Sequence, residues 1–283
     1  MGEDRGDSIL NPVAPIVPPL KGPINVIHSI YLNRELVWAM VKRNMRTRYR
    51  TASLGYLWLV LEPSLLAITY YFLFIMLAGN PDELYPVWVL VGVIVWSTFG
   101  KSLSGTVSSI SSNAQTINMA YFPRIIFPVS ITGGHIITSL GSSLVVLPII
   151  IYFGTPVTLN LIYVPIGVIM AGIMGGSFGL IFASINCKQR DIEHLFRFIV
   201  RAGFFFSPVM WTAEMALERG TMGEAALYNP MTTPITMVRH AIDGQALSLP
   251  QYAVFSSIIF LLASMIIGSM IFTKYEREAV KFL

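Results

Sequence analysis

Few residues in this chain have the types that do chemistry. Glu62 and Pro63 interrupt an apolar run, and Arg43, Arg46, Arg48 and Arg50 stand just ahead of it. A carboxylate in such a run normally faces protein or water, and the adjacent proline removes a backbone donor and kinks a helix. The bland alternative is a structural kink close to the inner headgroups. Other candidates fall away on spacing. Phe99-Gly100-Lys101-Ser102 suggests a phosphate loop, but the required glycine five residues before its Gly-Lys is Val95, and the stretch is helical and apolar. His28, His135, His194 and His240 show no metal-ligand spacing. The single Cys187 excludes an internal disulfide. The serine-rich stretch 108–113 lacks nucleophile-elbow glycines. The expectation is a chain with no catalytic residue, no metal and no ATP site of its own.

The elements that position these residues follow from composition. Apolar residues make up 54% of 283, charged residues 12%, and mean hydropathy is +0.65. A soluble domain carries about a quarter charged residues, so lipid is the expected solvent. A bilayer core needs about 20 apolar residues per helix. Six stretches qualify, at about 54–78, 85–107, 125–153, 161–185, 195–211 and 252–273. The fifth is short and carries Arg197 and Arg201; in the third, Gly133-Gly134 and Pro148 permit bends. Residues 1–24, rich in proline and without a signal-peptide pattern, read as a disordered cytoplasmic arm, and 25–283 as one membrane domain.

Charge orients the spans. With the N-terminus inside, 17 of the 19 basic residues fall on the cytoplasmic side, counting Lys101, Arg124, Arg197 and Arg201 with the side they can snorkel to. The outer side holds Arg219, Arg239 and six acids, Asp82, Glu83, Glu214, Glu218, Glu224 and Asp243. Both termini are then cytoplasmic. The net charge of +4 is topological, and a nucleic-acid partner is rejected.

Four further patterns matter. Residues 32–46 put Leu32, Leu36, Met40, Val37, Val41 and Met45 on one helix face and most charges on the other, as in a helix lying at the membrane interface. Gly167, Ala171, Gly175, Gly179 and Ala183 form a small-residue stripe that suits close packing within the chain, with a dimer seam as the alternative. The connection 113–128 is too apolar for a solvated loop and suits a short docking helix. The long connection 212–251 suits short helices dipping into the outer leaflet. Aromatics cluster at Tyr56 and Trp58 and at Phe204, Phe205 and Phe206. Interfacial belts account for many of them, while flat aromatic faces would also suit a passage for sugar chains.

Together, RYRTASLGYLWLVLEP (48–63), YFPRIIFPVS (121–130), FFFSPVMW (204–211) and YNPMTTPITMVRHAI (228–242) resemble the membrane subunits of ABC-2 type polysaccharide exporters, over about 250 residues. That family exports O-antigen, capsule, teichoic acid and related lipid-linked glycans. The resemblance implies an all-α fold of six spans with an N-terminal interface helix (28–50), a cytoplasmic coupling helix and short external re-entrant helices. It implies a homodimer in the bacterial inner membrane, paired with two ATP-binding cassette subunits that hold ATP and Mg. It assigns Thr116, Ile117, Asn118, Met119, Tyr121, Phe122, Pro123 and Arg124 to coupling. Arg43, Arg46, Arg48 and Arg50 go to the interface helix and the intake of a lipid pyrophosphate. Tyr56, Trp58, Glu62, Phe204, Phe205, Phe206, Tyr228, Asn229 and Arg239 go to the translocation path or its gate. Many relatives carry a lysine before the aromatic-Phe-Pro of the coupling segment, where this chain has Asn118-Met119-Ala120. Alternatives are a permease for a drug or small lipid and an ATP-independent flippase.

Overall fold

The computed structural model describes residues 18–50, 52–78, 84–119, 123–154, 157–245 and 247–282. Among them all regular structure is helical. The first 17 residues of the expected arm lie outside the described residues, and helix begins earlier than expected, with α1 at Gly22–Leu32. The expected interface helix 28–50 is two helices, α1 and α2 (Arg34–Tyr49), separated at Asn33. There the Asn33 side chain donates to Ser29 O at 2.8 Å, serving a carbonyl at the end of α1. After a glycine turn at Gly55, whose φ of +49° favours glycine, the chain enters α3 (Trp58–Ala78).

Then come α4 (Tyr85–Val107), α5 (Ala114–Met119), α6 (Ile126–Ser143), α7 (Val146–Phe153) and α8 (Tyr163–Lys188). They are followed by α9 (Asp191–Phe206), α10 (Ala213–Leu217), α11 (Thr221–Ala226), α12 (Thr232–Asp243) and α13 (Gln251–Val280). The third span is continuous through Gly133-Gly134 and breaks instead at Leu144-Val145. Pro148 is the cause: it cannot donate to Leu144 O and its ring collides with that carbonyl.

Among the described residues, five helical stretches are long and apolar enough to cross a membrane: Gly55–Leu73, Tyr85–Val107, Ile126–Phe153, Leu159–Lys188 and Gln251–Ala279. The expected fifth span of six, 195–211, falls on α9, whose 16 residues reach about 24 Å against a hydrocarbon core of about 30 Å. Its helix stops at Phe206 because Pro208 pushes Ser207 to extended backbone, at φ −98° and ψ 152°.

The centre of the bundle is α4, with 78% of its most apolar window buried against 11% for α3. The small-residue stripe of α8 makes this possible. A side chain on Gly175 would strike the backbone of Phe99, one on Gly179 would meet Leu103 and Thr106 of α4, and one on Gly167 would meet Pro234 of α12. The stripe is packed within the chain, as the first of its two readings expected. Two ends emerge. Met40, Ile110, Phe127, Cys187 and Phe272 form a core at the arginine-rich end. Ala213, Ala216, Leu227 and Ala253 form one at the acidic end.

Candidate functional site

At the arginine-rich half, the Glu62-Pro63 break has a local answer. Pro63 cannot donate to Leu59 O, and Ser142 of α6 fills the vacancy, its hydroxyl donating to that carbonyl at 2.6 Å. Glu62 turns to α4 and meets Lys101, with Nζ to Oε1 at 2.7 Å. Lys101 therefore does not simply snorkel away. Two charges in separate spans satisfy each other beside Ser97, Thr138 and Ser139, which line the same small cavity. One turn further toward the arginine-rich end, Arg48 Nη1 lies 3.3 Å from His135 Nδ1 of α6. The close approach of His135 to α4 is permitted by Gly105, where a Cβ would sit 3.1 Å from the ring.

The segment before α5 is tied to two other helices, one of which is tied on to a third. Arg43 of α2 donates to Asn113 Oδ1 at 3.3 Å, and Asn186 of α8 donates to Ser111 Oγ at 3.2 Å. Asn186, fully buried, also accepts from the Glu193 backbone of α9 at 3.1 Å. Thr116, Ile117, Asn118 and Met119 form the end of α5, with Ile117 packed on the adjacent core and Met119 exposed. Pro123 and Arg124 lead into α6, while Tyr121 and Phe122 lie outside the described residues. Arg46 and Arg50 are exposed, as are Tyr56 and Trp58 at the start of the first span.

The other half is built around the end of α9. Val200 packs on Gly100, Gly203 on Trp96 and Val209 on Gly92, so the chain runs antiparallel to α4 and loses its helix while still beside that span. Irregular backbone at such depth must have its carbonyls satisfied by protein. Arg239, 5% exposed, donates from Nη2 to Val209 O at 2.7 Å and from Nη1 to Trp211 O at 2.9 Å. Its Nε reaches Trp88 O at 3.3 Å. The Tyr85 hydroxyl donates to Met210 O. The amide of Asn229 donates to Phe206 O at 3.1 Å and Ser207 Oγ at 3.0 Å, and its oxygen accepts from Met231 N at 2.9 Å. Burial pulls the Arg239 pKa down, to about 10, while Tyr85, Glu214 and Asp243 oppose that shift, and the group stays charged at neutral pH. Arg239 and Asn229 thus hold in place the irregular chain that leaves α9.

The aromatic residues divide. Phe204 is buried between Tyr70, at 4.4 Å between ring centroids, and Trp96, at 6.5 Å. Phe205 and Phe206 are exposed, and so is Tyr228, which stacks on Tyr252 at 4.9 Å. Lys101 and His135 were seen in the sequence without their partners, and Asn113, Asn186 and Tyr85 were not singled out. For Lys101 the signal was there, because it and Glu62 lie at similar depth from the same end of their spans.

Pro63 sits inside the first span, a short tied segment precedes the third and α9 ends early at Pro208 beside α4; residues 35–242 match the family described as ABC-2 type transporter. The chain belongs to the ABC-2 type transporter family. This ABC-2 chain is 26% identical over 217 residues to the O-antigen export system permease protein RfbA of Myxococcus xanthus, covering 75% of this chain and 82% of the relative. It is 26% identical over 255 residues to RfbA of Klebsiella pneumoniae, covering 88% and 95%. It is 25% identical over 253 residues to the polysialic acid transport protein KpsM of Escherichia coli, covering 85% and 93%. As an ABC-2 type chain it is a multi-pass membrane protein, with its largest core between the spans α4 and α8 and two smaller cores toward the ends of the bundle.

Proposed function

We propose that this chain is the membrane subunit of an ATP-driven exporter that moves a lipid-linked polysaccharide out of the bacterial cytoplasm across the inner membrane. The observation that carries this is the nearly full-length similarity to an O-antigen permease, with 88% of this chain aligned to 95% of that relative. The working unit is a homodimer with two separate ATP-binding cassette subunits, which hold ATP and Mg and perform the hydrolysis. Both termini face the cytoplasm, an orientation supported by the arginines gathered at the end formed by α2, α5 and the start of α6.

In this reading the ATPase stroke arrives at α5. The bonds from Arg43 to Asn113 and from Asn186 to Ser111 and Glu193 give that stroke a route to α2, α8 and α9. Arg46, Arg48 and Arg50 act as charge-assisted donors to the carrier pyrophosphate. Exposed Phe205, Phe206, Tyr56 and Trp58 offer aromatic faces to the sugar chain.

The test is purification in mild detergent with identification of stoichiometric partners, followed by ATPase assays with and without a lipid-linked glycan. The expected result is a P-loop ATPase at one-to-one whose turnover rises with the glycan. A chain that purifies alone under several conditions, or an ATPase indifferent to lipid-linked glycans, would overturn the proposal.

A further inference from the structure

A second cavity, of about 340 Å³, opens at the acidic end, between the start of α4, α10 and α12. Its size lies at the low end of the roughly 300–1,000 Å³ of small-molecule sites. Thr236, Arg239, His240 and Asp243 of α12 follow i, i+3, i+4, i+7 spacing and turn one helix face into it. Two of these polar atoms stand out. Thr236 Oγ1 and His240 Nδ1 are buried without a hydrogen-bond partner among the described residues, in residues 3% and 7% exposed. Leaving such groups unmet is costly, so each marks a place where something else supplies the bond.

The rest of the lining says what kind of group that is. Glu214, Glu218 and Asp243 outnumber Arg239, whose guanidinium is already engaged by three backbone carbonyls. An anion is therefore repelled, while a ligand bearing many O–H or N–H donors meets acceptors. Trp88 closes one side, and its indole N–H is tied to Asp243 Oδ1 at 2.9 Å, which fixes the ring plane. Fixed aromatic faces beside carboxylates and hydroxyls suit the apolar face and polar rim of a pyranose ring.

We infer that this cleft is a subsite for one sugar-sized, hydroxyl-rich unit without negative charge, formed by Thr236, His240, Asp243, Glu214 and Trp88. The inference deepens the export reading above and rests on it for orientation: the cleft then lies on the outer face, where an exported chain emerges. There it would take hold of the sugar units that have left the pore and disfavour their return.

The test uses the full chain, with the subunits that copurify with it, in lipid nanodiscs without ATP. Saturation transfer is recorded by NMR from protein to three probes: methyl glucoside, the methyl glycoside of glucosamine, and methyl glucuronide. We expect saturation of the first two and binding of the glucuronide weaker by about tenfold or more. Thr236→Val and His240→Phe should each weaken the neutral probe by about tenfold. Glu218→Lys, at an exposed rim position where folding is not at stake, should narrow or reverse the preference against glucuronide. Absence of saturation by any probe, or binding indifferent to all three substitutions, overturns the subsite and leaves a water-filled cleft. Because binding is read without ATP, a failed subsite with intact glycan-stimulated ATPase removes this inference alone. Binding with no ATPase partner removes the export reading alone.

Discussion

Proline interrupts the helical backbone of this molecule at several points, and two of them, Pro63 within α3 and Pro208 after α9, are repaired differently. In α3, Pro63 orphans one carbonyl, and a single serine hydroxyl from α6 serves it, beside a half-exposed ion pair. After α9, Pro208 ends the helix, and the carbonyls of Phe206, Val209, Met210 and Trp211 are served by Asn229, Arg239, Tyr85 and again Arg239. The first repair uses a group that has a second acceptor within reach, since Ser142 Oγ is also 3.1 Å from Thr138 O. The second commits a buried cation to the main chain. One break is therefore suited to bend, the other to hold its shape.

Arg239→Met should produce the largest effect, because it strips a buried charge from three carbonyls at once. A loss of about 3–5 kcal/mol in stability is expected, seen as aggregation or a lowered melting temperature in detergent. Arg239→Lys should recover only part, since an ammonium lacks the planar fork. Next come Glu62→Gln and Lys101→Met, each leaving one unpaired charge in a span. Each alone should cost about 1–2 kcal/mol, below the mid-bilayer cost because both side chains are partly exposed, and the double substitution should cost less than the two added. Strict additivity would show that the pair is not coupled. Asn229→Ala should cost about 1–2 kcal/mol, by opening the Phe206 carbonyl and the Met231 amide together. Smallest is Ser142→Ala, at about 0.5–1.5 kcal/mol in stability. If Ser142→Ala proved as damaging as Arg239→Met, the contrast between a bending break and a rigid one would fail.

Much of this was legible from sequence, and the gaps have a common cause. The second span was found at its bounds and the fourth within three residues, because apolar runs of that length have one solution in a bilayer, whereas the helix of the sixth runs seven residues past the apolar stretch, through Lys274, Glu276 and Arg277. The α9 break was partly visible in Ser207-Pro208, yet its repair was not, since its acceptors are backbone carbonyls that no side-chain pattern announces. Glu62 and Lys101 were each noticed but not joined, though opposite charges at matched depth in different spans suggest a pair. Phe196, Val200 and Phe204 recur every four residues, which could have separated buried Phe204 from exposed Phe205 and Phe206. The split of the interface helix at Asn33 had no clear signal, because its flanking segments both read as helix.

The dependence of the α9 break on later residues also bears on how the protein is made. The 16 residues of α9 include Asp191, Glu193, Arg197 and Arg201, a poor candidate for independent insertion. Tyr85, made earlier, serves the Met210 carbonyl, but the groups that serve Phe206, Val209 and Trp211 belong to residues 229 and 239, which leave the ribosome afterwards. The α9 segment is thus expected to settle only when α12 arrives, making biogenesis non-sequential at this one point. A nascent chain arrested before α12 should leave α9 accessible to water-soluble thiol reagents at introduced cysteines, and one arrested after α13 should not.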